Sequence, residues 1–115
     1  MYIAMTLQEW DEWLHALESG IYQQGTGVLR RPGVDGEPDK FCCLGVYCVI
    51  NRVDMEEWGR ETGVNIAPPE LDVIPADFRD RLASLNDLGH SFAEIAKFLR
   101  MARSTELIIL SLTGN

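Results

Sequence analysis

The sequence predicts an α+β fold: one mainly helical domain over residues 1–115, with about four helices and a small antiparallel hairpin around a buried central helix. Three observations predict it. Apolar residues recur at steps of three and four in separate stretches of the chain. The segment Phe41 to Ile50 has almost no polar member. Between the first periodic stretch and that segment lies a tract dense in Gly and Pro, which breaks helices and favours turns.

The first helix is expected over 7–19. Thr6-Leu7-Gln8-Glu9 has the form of a capping box, in which hydroxyl and carboxylate each satisfy an orphan amide of the first turn, and Met5 with Trp10 can form the hydrophobic staple. Leu7, Trp10, Leu14 and Leu17, adjoined by Trp13, make its apolar stripe, and Gly20 is a natural left-handed stop. From Ile21 to Lys40 the pattern turns to short β-prone pieces. Gly27 to Arg31 reads as a strand, Pro32 to Asp39 as the turn, and Lys40-Phe41-Cys42 as the returning strand.

Phe41 to Ile50 shows no amphipathic period and must be buried on most sides. The expectation is a strand end at Phe41–Cys42 that passes into a central helix from Cys43 to Val53, with Gly45 letting a neighbouring backbone come close. Residues 54–73 read as a charged loop, with a helical turn at Met55 to Trp58 and Trp58 folded back on the core. Pro75 suits the first turn of the next helix, whose stripe Phe78, Leu82, Leu85 and Leu88 ends at Gly89. A second capping box, Ser91-Phe92-Ala93-Glu94, opens a helix burying Phe92, Ile95, Ala96 and Leu99. The tail Glu106 to Leu112 is apolar and reads as a helix or an added strand, and if left unpaired it could close a homodimer.

Composition narrows the function classes. A chain of 115 residues with 46% apolar residues can bury a core without metal or disulfide help. Its net charge of −8 repels phosphate backbones, so nucleic-acid binding is disfavoured. No apolar run is long enough to span a bilayer and no secretion signal opens the chain, so a cytoplasmic location is expected. Cys42, Cys43 and Cys48 are an odd, crowded set, which favours reduced and buried thiols.

Several residues could carry chemistry. Cys42 or Cys43 at a helix start could be a nucleophile with His90 (or His15) as base, giving a cysteine-dependent hydrolase or transferase. Inert thiols lining a core helix are the simpler reading. The spacing supplies no second ligand pair for zinc, so neither a metal nor a cofactor is expected. Residues 82–112 have the outline of a helix-turn-helix, but Glu106 to Leu110 offers a carboxylate and aliphatics where base-reading side chains are wanted. The carboxylates Asp54, Glu56, Glu57, Glu61, Glu70 and Asp72 could form a DNA-mimicking face, although such charge commonly serves solubility. The hairpin region is the one locally basic, amide-rich area: Tyr22, Gln24, Arg30 and Arg31, beside Gln23 and Lys40, form the expected ligand surface, with Asn86 and Asp87 accepting hydrogen bonds.

The pattern Trp13-Leu14-x-Ala16-Leu17-x-Ser19-Gly20-x-Tyr22-x-Gln24, then Phe41-Cys42-Cys43-Leu44-Gly45-Val46-x-Cys48, then Leu85-Asn86-Asp87-x-Gly89-x-Ser91-Phe92-x-x-Ile95-Ala96 resembles that of a family of small uncharacterised proteins encoded by bacteriophages and prophages. The resemblance covers most of the chain and implies origin more than activity. It implies an accessory factor acting in the cytoplasm of the bacterial host, one that binds a host protein or captures a small phosphorylated ligand such as a nucleotide signal of host defence. A non-enzymatic binding protein is therefore the leading expectation.

Overall fold

The computed structural model describes residues 2–53, 68–105 and 108–109. In chain order these form β1 (Tyr2–Ile3), α1 (Leu7–Glu18), β2 (Gln23–Gln24), β3 (Arg30–Arg31), β4 (Lys40–Phe41), α2 (Cys43–Ile50), a 3-10 turn (Pro69–Val73), α3 (Ala76–Asp87), α4 (Phe92–Thr105) and β5 (Ile108–Ile109). The fold is α+β and mainly helical, as the sequence predicts.

Helix α1 begins where its capping box places it. Thr6 Oγ1 accepts from the Glu9 amide at 3.0 Å and Glu9 Oε1 accepts from the Thr6 amide at 2.9 Å. Trp10, Trp13, Leu14 and Leu17 are buried, each contributing roughly 2 kcal/mol through apolar surface removed from water. Trp13 is pinned further: its Nε1–H donates to the Cys43 carbonyl at 2.9 Å, and its ring meets Tyr47 edge-on at 5.5 Å. Helix α2 is thereby packed by α1 on one side and α3 on another, with Cys43 to Cys48 all buried.

The hairpin forms with Arg30 opposite Phe41 and Arg31 opposite Lys40. Its strands are shorter than the pattern suggested, and Cys42 belongs to the helix cap, its sulfur accepting from the Gly45 amide at 3.4 Å. A third strand, β2, was not foreseen; it joins β4 in parallel, so the sheet order is β2-β4-β3. The backbone of β5 pairs in parallel with β1, another pairing that two-residue strands signal too weakly to predict.

Helix α1 ends at Glu18, one residue short of 19, with Ser19 as its cap, and three further boundaries differ from expectation, each for a local reason. Helix α2 stops at Ile50 rather than Val53, because Arg52 adopts a left-handed conformation (φ 57°) and the Arg52 and Val53 amides close back on the Val49 and Cys48 carbonyls. Pro75 sits just ahead of α3, where its missing N–H costs nothing. Leu88 caps α3 and is 78% exposed, because the buried line runs Phe78-Leu82-Asn86 at steps of four and turns Leu85 and Leu88 toward the edge. Gly89 (φ 97°) then reverses the chain into the Ser91–Glu94 capping box, with both reciprocal bonds made at 2.9 and 3.1 Å. Helix α4 buries Phe92, Ile95, Ala96 and Leu99 as expected, and Ala102 besides.

The expected turn at Met55 to Trp58, the Trp58 core contact, the carboxylates Asp54, Glu56, Glu57 and Glu61, and residues 110–112 lie outside the described residues. Of the acidic face, Glu70 and Asp72 are seen, exposed on the 3-10 turn. Ile108 and Ile109, which a helix-turn-helix over 82–112 needs in its second helix, form β5 instead.

Candidate functional site

The loop Gly27–Leu29 arches over α2 and faces α3, enclosing a groove of about 290 Å³. Leu29, Leu44 and Leu71 supply its apolar floor together with Cys42, and Arg79, Asp80 and Asp87 carry its charge. The α3 residues involved recur at helical spacing, and two of them, Ala76 and Ala83, are small enough to leave the space open.

The loop is held in place by amide chemistry. Gln24 Nε2 donates to Asn86 Oδ1 at 3.0 Å and to the His90 carbonyl at 2.6 Å. Asn86 Nδ2 donates to the Gly25 carbonyl at 2.7 Å, and Asp87 Oδ1 accepts from the Gly27 amide at 2.9 Å. The Gly25 amide donates to the Phe41 carbonyl, completing the tie to β4. Asn86 is fully buried, so these bonds replace water that its amide has lost.

Charge in the groove is uneven. Arg79 lies 3.6 Å from Asp72, which offsets it outside the groove. Asp80 has no ion pair among the described residues, and Asp87 uses one oxygen on Gly27. The lining therefore carries an excess of carboxylate over an apolar floor.

The expected ligand residues separate into three groups. Gln24, Asn86 and Asp87 do converge, but on one another and on the loop backbone; of them only Asp87 lines the groove. Tyr22 packs edge-on against Phe41 at 6.0 Å. Arg30 donates from Nε to Asp39 Oδ2 at 2.9 Å, while Arg31 stays exposed on β3. Asp80, Ala76 and Ala83 were missed in the sequence, where two alanines and an aspartate on a helix carry no distinguishing signal.

The cysteines do not have the setting of nucleophiles. Burial pushes the Cys42 thiol up, more than the Gly45 amide draws it down, and Cys43 is pushed well above its ordinary range by burial while its thiol donates to the Leu82 carbonyl at 3.7 Å. Cys48 is raised from 9.0 to about 12, first by burial and then by the charges of Cys42 and Glu70. The His90 ring is exposed, and neither histidine lines the groove that Cys42 borders. In the native protein at neutral pH, iodoacetamide should leave all three thiols unmodified over a time in which the denatured chain reacts fully, as mass spectrometry would report. Raised thiols also contribute to the loss of stability at alkaline pH. Since the unfolded thiol ionises first, stability holds below about pH 9 and falls as pH climbs toward about 12, which denaturation midpoints across that window would check.

These features define a class: a small helical α+β domain in which a three-stranded sheet is tied to a helix end and bounds a groove. Residues 5–68 match the family model described as a domain of unknown function, DUF8296, and the chain belongs to that family. The matched span contains α1, the sheet and α2, and so one wall of the groove; the α3 wall follows it. No curated protein and no solved structure matches the chain.

Among the described residues no His, Cys, Asp or Glu cluster could hold a metal ion, and no helix is long and apolar enough to cross a membrane.

Proposed function

We propose that this is a non-enzymatic binding protein of phage or prophage origin that acts on a protein of its bacterial host by seating a short segment of it in the groove between Gly27–Leu29 and α3. The observation that carries this is the groove's lining: an apolar floor beneath surplus carboxylate. At about 290 Å³ it takes one or two side chains and falls at the lower limit for a small-molecule pocket. Asp80 and Asp87 weigh against a phosphate there and favour a Lys or Arg beside an aliphatic residue. The elevated thiols, and a groove lining that includes neither histidine, support binding over catalysis.

Amide-resolved NMR with defined probes tests the reading. Acetyl-Leu-Arg-amide at millimolar concentration should shift the amides of Gly27 to Leu29, Cys42 and Ala83, and acetyl-Leu-Glu-amide should not. Ala83→Trp, which fills the groove, should abolish the response while leaving the remaining spectrum in place. Equal shifts with the acidic dipeptide, or none with the basic one, would refute it.

A further inference from the structure

The sheet register sorts its side chains into two rows. Gln24, Phe41 and Arg30 form one; Phe41 is buried and Gln24 reaches Asn86, so that row faces the body of the domain. Successive residues of a strand point to opposite faces, so the other row, Gln23, Lys40 and Arg31, faces water, and all three are exposed.

That outer row places two cations directly opposite each other. Side chains so paired have their Cβ atoms about 5 Å apart, and like charges there destabilise the strand pair. Relief is absent among the described residues: neither Arg31 nor Lys40 has an ion pair, although the chain carries 18 carboxylates. Asp39, next to Lys40 in the chain, is already bound to Arg30 Nε and to the Gly33 amide at 2.8 Å. Lys40 is also given room, since a Cβ on Gly25 would stand 2.9 Å from the Lys40 Cβ. Two exposed cations held side by side without a carboxylate partner are suited to receive anionic groups from outside the chain.

We infer that the Gln23–Lys40–Arg31 row is a second contact surface, independent of the groove, that receives the carboxylates of an acidic patch on a partner protein. Two considerations choose this occupant. Arg31 and Lys40 lie outside the lining of the groove, on an exposed sheet face, so a small phosphorylated molecule would meet two charges and little enclosure there. A long nucleic-acid backbone, extending past this row, would meet a chain whose net charge is −8. A protein surface can supply the remaining contact area itself and present its acids locally.

The test titrates the isotope-labelled full chain with acetyl-Asp-Glu-Glu-Asp-amide, with inorganic phosphate and with a short DNA duplex at the same ionic strength. The acidic peptide should shift the amides of Gln23, Arg31 and Lys40, and binding should weaken at least about fivefold in Arg31→Ala. Lys40→Glu should abolish peptide binding and yet raise the melting temperature by about 2 °C, because it turns the repulsive pair into an attractive one. No response to the peptide, binding that survives Lys40→Glu, a lowered melting temperature in that variant, or a stronger response to phosphate or duplex would each overturn the inference.

Discussion

Gly45→Ala should destabilise the protein by about 3 kcal/mol or more, a large part of the 5–15 kcal/mol that holds a typical domain together. Two effects oppose each other at this position. Gly45 lies inside α2, and alanine is favoured over glycine in a helix by about 1 kcal/mol, so propensity alone predicts a gain. A Cβ at this site would stand 1.9 Å from the Leu29 carbonyl oxygen and 2.9 Å from its carbon, both backbone atoms. The Leu29 carbonyl cannot step aside cheaply, since it accepts from the Cys42 amide at 3.2 Å and anchors the loop to the helix. The clash should win, and the groove should lose its Leu29 wall with it. Urea denaturation decides the sign: unchanged or increased stability would mean that the loop does not lie on α2. Gly20→Ala gives the contrast. Its Cβ meets nothing within 4 Å, and the left-handed backbone (φ 76°) alone should cost about 1 kcal/mol.

This glycine also shows what a sequence makes legible. An apolar run broken only by Gly45 signals a close backbone approach, and capping boxes at Thr6 and Ser91 fix two helix starts, because each rests on interactions within a few residues. The apolar face of α4 follows from spacing alone. The pairing of β2 with β4 and of β1 with β5 joins two-residue strands across long separations, and nothing local in Gln23–Gln24 or Tyr2–Ile3 encodes a partner. The polar residues stand out in the sequence, but the structural work they do in the loop is not legible there. Gln24, Asn86 and Asp87 converge on the loop backbone, and amides and carboxylates near turns read alike whether they bind a guest or their own backbone. Leu88 failed for a related reason: a stripe at steps of three and four fits two faces of a helix, and the buried polar Asn86 that chose between them contradicts the hydrophobic rule.

Asn86→Leu should cost about 2–3 kcal/mol, although it replaces a fully buried polar side chain by an apolar one of similar size. Hydrophobicity would predict a gain. The loss comes from the groups left behind: the Gly25 carbonyl loses a 2.7 Å donor, and Gln24 Nε2 loses one of its two acceptors, at half-buried positions beside an apolar side chain that offers no replacement. A double-mutant cycle with Gln24→Ala should give a coupling of about 1 kcal/mol, and additivity would show that the two amides act separately. Asn86→Asp sharpens the argument because its sign depends on pH. An ionised carboxylate there can accept from Gln24 but cannot donate to Gly25, and it stands beside Asp87, whose Oδ1 lies 3.5 Å from the native amide nitrogen. Burial and that like charge should raise the new carboxyl's pKa in the folded state, so the folded form is favoured when it is protonated and able to donate again. The stability gap between Asn86→Asp and the native protein should therefore be wide at neutral pH and narrow as pH falls toward the carboxyl range. A gap that stays constant would remove Asn86 from its place as the donor that ties the loop to α3. Because that tie positions Gly27 to Leu29, both variants should also weaken the response to acetyl-Leu-Arg-amide while leaving the outer row Gln23–Lys40–Arg31 able to bind acidic peptide through the β3–β4 pairing that sets it.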